Sequence, residues 1–189
     1  GGVGAGREAG SCSGTRREAF AAVLSSAPPT SATLAATLVH ELQHAKLAAL
    51  GEMVTLHHEG SEERYFAPWR PDPRPYDGLL QGVYSHAALA DFFQRCALAR
   101  HVSPTQKEAA WREHARYQAQ VRMALPVIAS GDLTAAGRAV VEGLLEKCEH
   151  MTADPPPGRI WASAEDDARG RLERWMNTYA DSTRTPGGP

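Results

Sequence analysis

The chain has 189 residues, long enough for one compact domain with its own hydrophobic core. Hydrophobic residues make up 42% and charged residues 22%, ordinary globular usage, and the formal net charge of -2 offers no basic field for nucleic acid or anionic lipid. No apolar run approaches the roughly 18 residues needed to cross a bilayer, so neither a nucleic-acid partner nor a membrane is expected.

Residues 1–16 are rich in Gly and Ser and read as a flexible leader, without the apolar segment of a secretory signal. The chain does not begin with Met, which suggests a piece of a longer protein. A single domain is expected over 17–182 and a flexible tail over 183–189. Within RREAFAAVLS (16–25), Phe20, Val23 and Leu24 suggest a short strand. Pro28-Pro29 then breaks the chain, and Thr30 or Ser31 can cap a helix over 32 to about 54, with no Gly or Pro before Gly51.

The stretch HHEGSEERYFAPWRPDPRP (57–75) has four prolines and reads as a long ordered loop held by Tyr65, Phe66 and Trp69. Loops of this length inside a compact domain are often functional. Helical patterns follow over 77–100, 104–129, 133–152 and 160–180, divided by Ser-Pro, Ser-Gly-Asp and Asp-Pro-Pro-Pro breaks. The expected class is mainly α with a small β component (α+β), a multi-helix domain. Cys12, Cys96 and Cys148 are odd in number and share no CxxC spacing, which fits reduced structural thiols in a cytoplasmic protein.

The segment TLVHELQHAKLAAL places His40 and His44 at i and i+4, on one face of a helix and about 5–6 Å apart at Cβ. Two imidazoles so placed can share one divalent cation, while Glu41 points about 100° away around the axis. In zinc peptidases that glutamate is the general base acting on metal-bound water. The competing reading is a solvated helix that happens to carry two histidines. Against it, Thr37, His40, His44 and Leu47 form one i, i+3, i+4, i+7 stripe, which points the histidines inward, where unpaired imidazoles are costly.

A third ligand must come from elsewhere. His86 is flanked by Leu79, Val83, Leu89, Ala90 and Phe93 at -7, -3, +3, +4 and +7, so it is either a hydrogen-bonded core histidine or that ligand. His57 and His58 sit in a polar loop and look solvated; His101, His114 and His150 have charged neighbours and read as surface. Arg70 and Arg74 stand in a proline-stiffened frame and can grip a carboxylate in a bidentate fork, or pair with Asp72, Asp77 or Glu63 to fasten the loop.

Together the segments REAFAAVLS, LVHELQHAKLAAL and RYFAPWRPDPRPYDGLLQGVYSHAALADFF resemble the α-ketoglutarate-dependent HExxH-type peptide β-hydroxylases. These occur alone or fused to radical-SAM enzymes that mature ribosomally made peptides. The likeness covers about residues 17–95, and the helices after 103 only in layout; YxAPWRxDPRP with GLLQGVYxH is far more specific than HExxH alone.

The resemblance implies an Fe(II) dioxygenase that uses α-ketoglutarate and O2 to hydroxylate a β-carbon in a ribosomally made precursor peptide, with a radical-SAM maturase fused or nearby. It implies iron on His40, His44 and His86, the distal carboxylate of α-ketoglutarate on Arg70 or Arg74, and Glu41 as a polar site residue that orients a ligand. Three histidines depart from the two-His, one-carboxylate set of most non-haem iron oxygenases. Asp91, about 140° around the helix from His86, does not repair that. The alternatives are a zinc peptidase with Glu41 as general base and a non-catalytic helical module; the extended HExxHxxGxxH form is absent.

Overall fold

A computed structural model describes residues 13–15, 23–25 and 31–179. The described residues are mainly helical. Two three-residue strands, β1 (Ser13–Thr15) and β2 (Val23–Ser25), pair antiparallel, followed by α1 (Ser31–Met53), α2 (Tyr76–Leu98), α3 (Pro104–Ala129), α4 (Ala135–His150) and α5 (Gly158–Tyr179). The β component is thus one minimal ladder beside α1, and the class is all-α rather than α+β. The strand expected within 16–25 survives as β2; Phe20, Thr30, Cys12, most of the leader and the whole tail lie outside the described residues.

The helix boundaries follow local chemistry. Pro104 occupies the first turn of α3, where its missing N–H costs nothing, and Ser103 and Gln106 close a reciprocal capping box. Thr134 caps α4 by accepting from the Gly137 amide at 3.1 Å. At the far end of α4 the chain tightens into a 3-10 turn (Met151–Ala153), where the helix expected to reach 152 ends.

The centre of the molecule is α2, which packs on α1, α3 and α4, while α5 covers α3. Leu79, Leu80 and Val83 of α2 meet Leu47 of α1, Val121, Leu125 and Ile128 of α3, and Val141 and Leu144 of α4 in the main core. Burying a side chain of this size contributes about 1.5–3 kcal/mol. A second core joins Ala97, Trp111, Ala115 and Ile160 where α5 lies down. No helix among the described residues is long and apolar enough to cross a membrane.

The 57–75 segment is an ordered loop, as its prolines predict. It is clipped at two isolated bridges, His57 with Leu133 and Tyr65 with Arg74. Glu59 fastens it further, accepting from the Tyr65 hydroxyl at 2.9 Å and from the Asp132 amide at 3.0 Å. Two histidine assignments need correction. His57 is largely buried with its ring against Tyr76, held there by the bridge to Leu133. His114 is fully buried in the α2–α3 interface, bonded through Nδ1 to the Ala90 carbonyl at 2.8 Å.

Candidate metal and catalytic site

His40 and His44 stand one turn apart on α1, and their Nε2 atoms approach to 2.9 Å, so both rings point at the same place. His44 Nδ1 lies 3.1 Å from Gln81 Oε1. An amide oxygen accepts, so His44 carries its proton on Nδ1 and presents the Nε2 lone pair, the form in which an imidazole binds a cation. Gln81 thus sets this tautomer of His44, and it lies inside the GLLQGVYSH segment of α2.

His86 sits five residues further along α2 and is 6% exposed. Its ring centroid is 5.8 Å from that of His40. Trp69 packs edge-on against it at 4.5 Å and Tyr117 of α3 at 5.0 Å. The Trp69 contact exists because residue 82 is glycine: a Cβ there would run into the indole. That is the physical content of the loop-plus-helix motif. The proline-framed loop lays its tryptophan across Gly82 and onto His86.

Burial drives the His86 pKa down to about 3, helped by His40, the Arg116 guanidinium and His44 and opposed by Gln120. His40 is also shifted down, first by burial, then by His44, with Glu41 working against the fall. Both rings are therefore neutral at neutral pH, as metal ligands must be. His86 Nδ1 is buried without a hydrogen-bond partner, an arrangement that costs about 1–3 kcal/mol when nothing binds the atom.

The donors have the chemistry a divalent cation needs but not yet its geometry: two nitrogens 2.9 Å apart, one of them tautomer-locked, and a third neutral imidazole whose Nδ1 has no hydrogen-bond partner. As the side chains stand, no three His, Cys, Asp or Glu groups among the described residues hold coordinating positions. A three-histidine set requires the His40 and His86 rings to close on each other.

A cavity of about 490 Å³ opens against the two histidines. Its walls are Ala32, Thr33, Ala36, Thr37 and His40 of α1, His86, Leu89 and Phe93 of α2, and Glu113 and Tyr117 of α3. Tyr117 stacks on Phe93 with ring centroids 5.9 Å apart, and the Arg116 guanidinium lies 3.9 Å from the Tyr117 ring centroid. Glu113 accepts from Arg116 Nε at 3.2 Å.

Glu41 is 4% exposed and is not part of this wall. Arg70 and Arg74 are not part of it either: both are paired with Asp72, Arg70 at 3.1 Å and Arg74 at 3.8 Å. Asp91 turns to the opposite flank of α2, where it bonds Arg95 and Lys147.

Glu113, Arg116, Tyr117 and Gln81 were not singled out by the sequence. Gln81 carried a signal, lying five residues before a candidate ligand inside a specific motif. Glu113 and Arg116 carried none beyond i, i+3 pairing. Compared with the models of known protein families and with curated proteins, the chain matches none.

Proposed function

We propose that the chain is an Fe(II)- and α-ketoglutarate-dependent dioxygenase that hydroxylates a β-carbon of a residue in a ribosomally made peptide. His40, His44 and His86 would hold the iron, and Gln81 would fix the His44 tautomer. The observation that supports this best is a division of labour around α1. His40 and His86 open onto a cavity of about 490 Å³ whose lining is otherwise apolar or small apart from Glu113, while Glu41, 4% exposed, does not line it. A peptidase needs that carboxylate beside the attacking water; an oxygenase does not.

Iron with α-ketoglutarate and O2 supplies the oxidant: α-ketoglutarate, O2 and R–H become succinate, CO2 and R–OH. The chain's own residues do the rest. Small side chains from the first turns of α1 leave room for a substrate segment, and Leu89, Phe93 and Tyr117 keep the reacting carbon in apolar surroundings. Arg70 or Arg74 would grip the distal carboxylate of α-ketoglutarate on releasing Asp72. The half-buried, unbridged Cys96 and Cys148 favour a cytoplasmic setting, beside a radical-SAM maturase fused or nearby.

The test is anaerobic addition of Fe(II) and α-ketoglutarate, watched for a visible charge-transfer band, then O2 and assay of succinate. Both are expected, with a substrate peptide gaining about 16 mass units. Peptide cleavage with zinc, independent of α-ketoglutarate, would replace this reading with the peptidase.

A further inference from the structure

The α1–α2 pair has a second cleft, of about 550 Å³, on the flank turned away from the histidines and closed by α4. Lys46 lies two residues from His44, and Tyr84 and Ala88 lie two from His86, each about 160° around its helix. The floor is apolar, built on Val140 and Leu144 of α4, with Tyr84 and Phe92 beside it. Each helix contributes one cation, Lys46, Arg95 and Lys147, against the single carboxylate of Asp91. One Asp91 oxygen meets Arg95 at 2.9 Å and the other meets Lys147 at 3.0 Å, so one negative charge serves two positive ones. Lys46 adds a third. Two of the chain's three lysines converge here, in a protein whose net charge is -2.

Two further features define the occupant's shape. Leu42 of α1, 52% exposed, is an i,i+3 neighbour of Val39 and an i,i+4 neighbour of Lys46, and Leu38, 47% exposed, is an i,i+4 neighbour of Leu42, so the apolar track runs on past the cleft. A small anion would leave that track bare. Gly143 stands in the α4 wall, where a Cβ would meet nothing within 4 Å. Glycine costs an exposed helix interior about 1 kcal/mol relative to alanine, and here it keeps the wall open.

We propose that this cleft docks an acidic peptide segment with leucine or aromatic anchors, its apolar side chains on the floor and its carboxylates on Lys46, Arg95 and Lys147. The cations set charge and orientation, and the floor supplies the buried area. Nucleic acid would find three cations and an apolar floor that offers its phosphates nothing. This docking is independent of what the histidines bind, so the two readings fail separately.

The probe is a fluorescein-labelled peptide of about twelve residues, Glu alternating with Leu and Phe, followed by anisotropy at physiological salt; controls are its Lys counterpart, polyglutamate and a duplex oligonucleotide. Saturable binding of the acidic amphipathic peptide alone is expected, weakened at least tenfold by Lys46→Glu with Lys147→Glu, a loss of about 1.4 kcal/mol. Gly143→Trp fills the cleft without touching the core and should weaken binding as strongly, with thermal unfolding confirming that each variant is folded. No binding at about 1 mM peptide, equal binding of the Lys peptide, polyglutamate or the oligonucleotide, or indifference to Gly143→Trp would each overturn the proposal.

Discussion

The α1–α2 pair carries two clefts of similar volume, about 490 Å³ and 550 Å³, whose walls are chemically opposite. On the α3 flank the titratable groups are neutral imidazoles, buried enough to be held uncharged, with charge confined to the Glu113–Arg116 pair at one edge. On the α4 flank they are fixed cations near solvent around one shared carboxylate. The first arrangement suits a ligand whose bonds are short and directional, such as a divalent cation. The second suits a ligand held by area and long-range charge. One helix pair can present both because residues two apart face opposite ways, so mutations in one cleft leave the other intact.

The largest effects should come from the histidines. His40→Ala or His44→Ala should abolish the one-to-one uptake of a divalent cation, read by metal analysis and calorimetry, without changing acidic-peptide binding. Unaltered stoichiometry in either variant breaks the site; unaltered uptake in His86→Ala removes only the third ligand. Gln81→Leu should keep the site but weaken the metal by about tenfold to a hundredfold, because the His44 tautomer is then unset.

The arginines come next. A bidentate contact to a carboxylate is worth about 1.5–3 kcal/mol, so the relevant Arg→Ala change should raise the α-ketoglutarate dissociation constant about tenfold to a hundredfold. Lys in its place should rescue only partly. Arg70→Ala, Arg74→Ala and Arg116→Ala titrated side by side sharpen the comparison. Loss in Arg116→Ala alone would move the anion grip from the loop to α3.

That ambiguity shows what was legible. The five helices could be read because each break is chemical, a proline pair, a capping serine or a Ser-Gly-Asp turn, and His40, His44 and His86 because their stripes are periodic. Periodicity says which face is buried but not which helix it meets, so Glu113 and Tyr117, about 30 residues beyond His86, could not be assigned to its cavity. His114 was obscured by Arg112, Glu113 and Arg116 on the neighbouring face. Yet Trp111, Gln118 and Val121, at -3, +4 and +7 from it, are all buried and held the signal.

Glu41 separates chemistries rather than clefts. Glu41→Gln should leave succinate formation within about threefold of the parent, since no proton is taken by a carboxylate when α-ketoglutarate is decarboxylated, whereas a peptidase would lose several orders of magnitude. Peptide cleavage that disappears in Glu41→Gln while the metal stays bound would sink the oxygenase.

The smallest effect belongs to Asp91, in the basic cleft. Burial pushes its pKa up, but hydrogen bonds from Arg95 and Lys147 and their charges outweigh that and hold it below the usual carboxylate value. A depressed folded pKa stabilises the protein above the unfolded value near 3.9, and this contribution is lost as pH falls through the folded one. Asp91 is partly exposed, so the increment is at most about 1 kcal/mol. Urea unfolding should therefore show Asp91→Asn slightly less stable than the parent at pH 7, with the gap closing as acidification carries the carboxylate below its unfolded value near 3.9 and through its lower folded one. The same variant frees Arg95 and Lys147, and acidic-peptide affinity should rise by about twofold to fivefold, the scale of a single exposed charge pair. A fall in affinity would mean that Asp91 aims the two cations rather than competing for them. A stability gap that does not change with pH would mean that the carboxylate stabilises by packing alone.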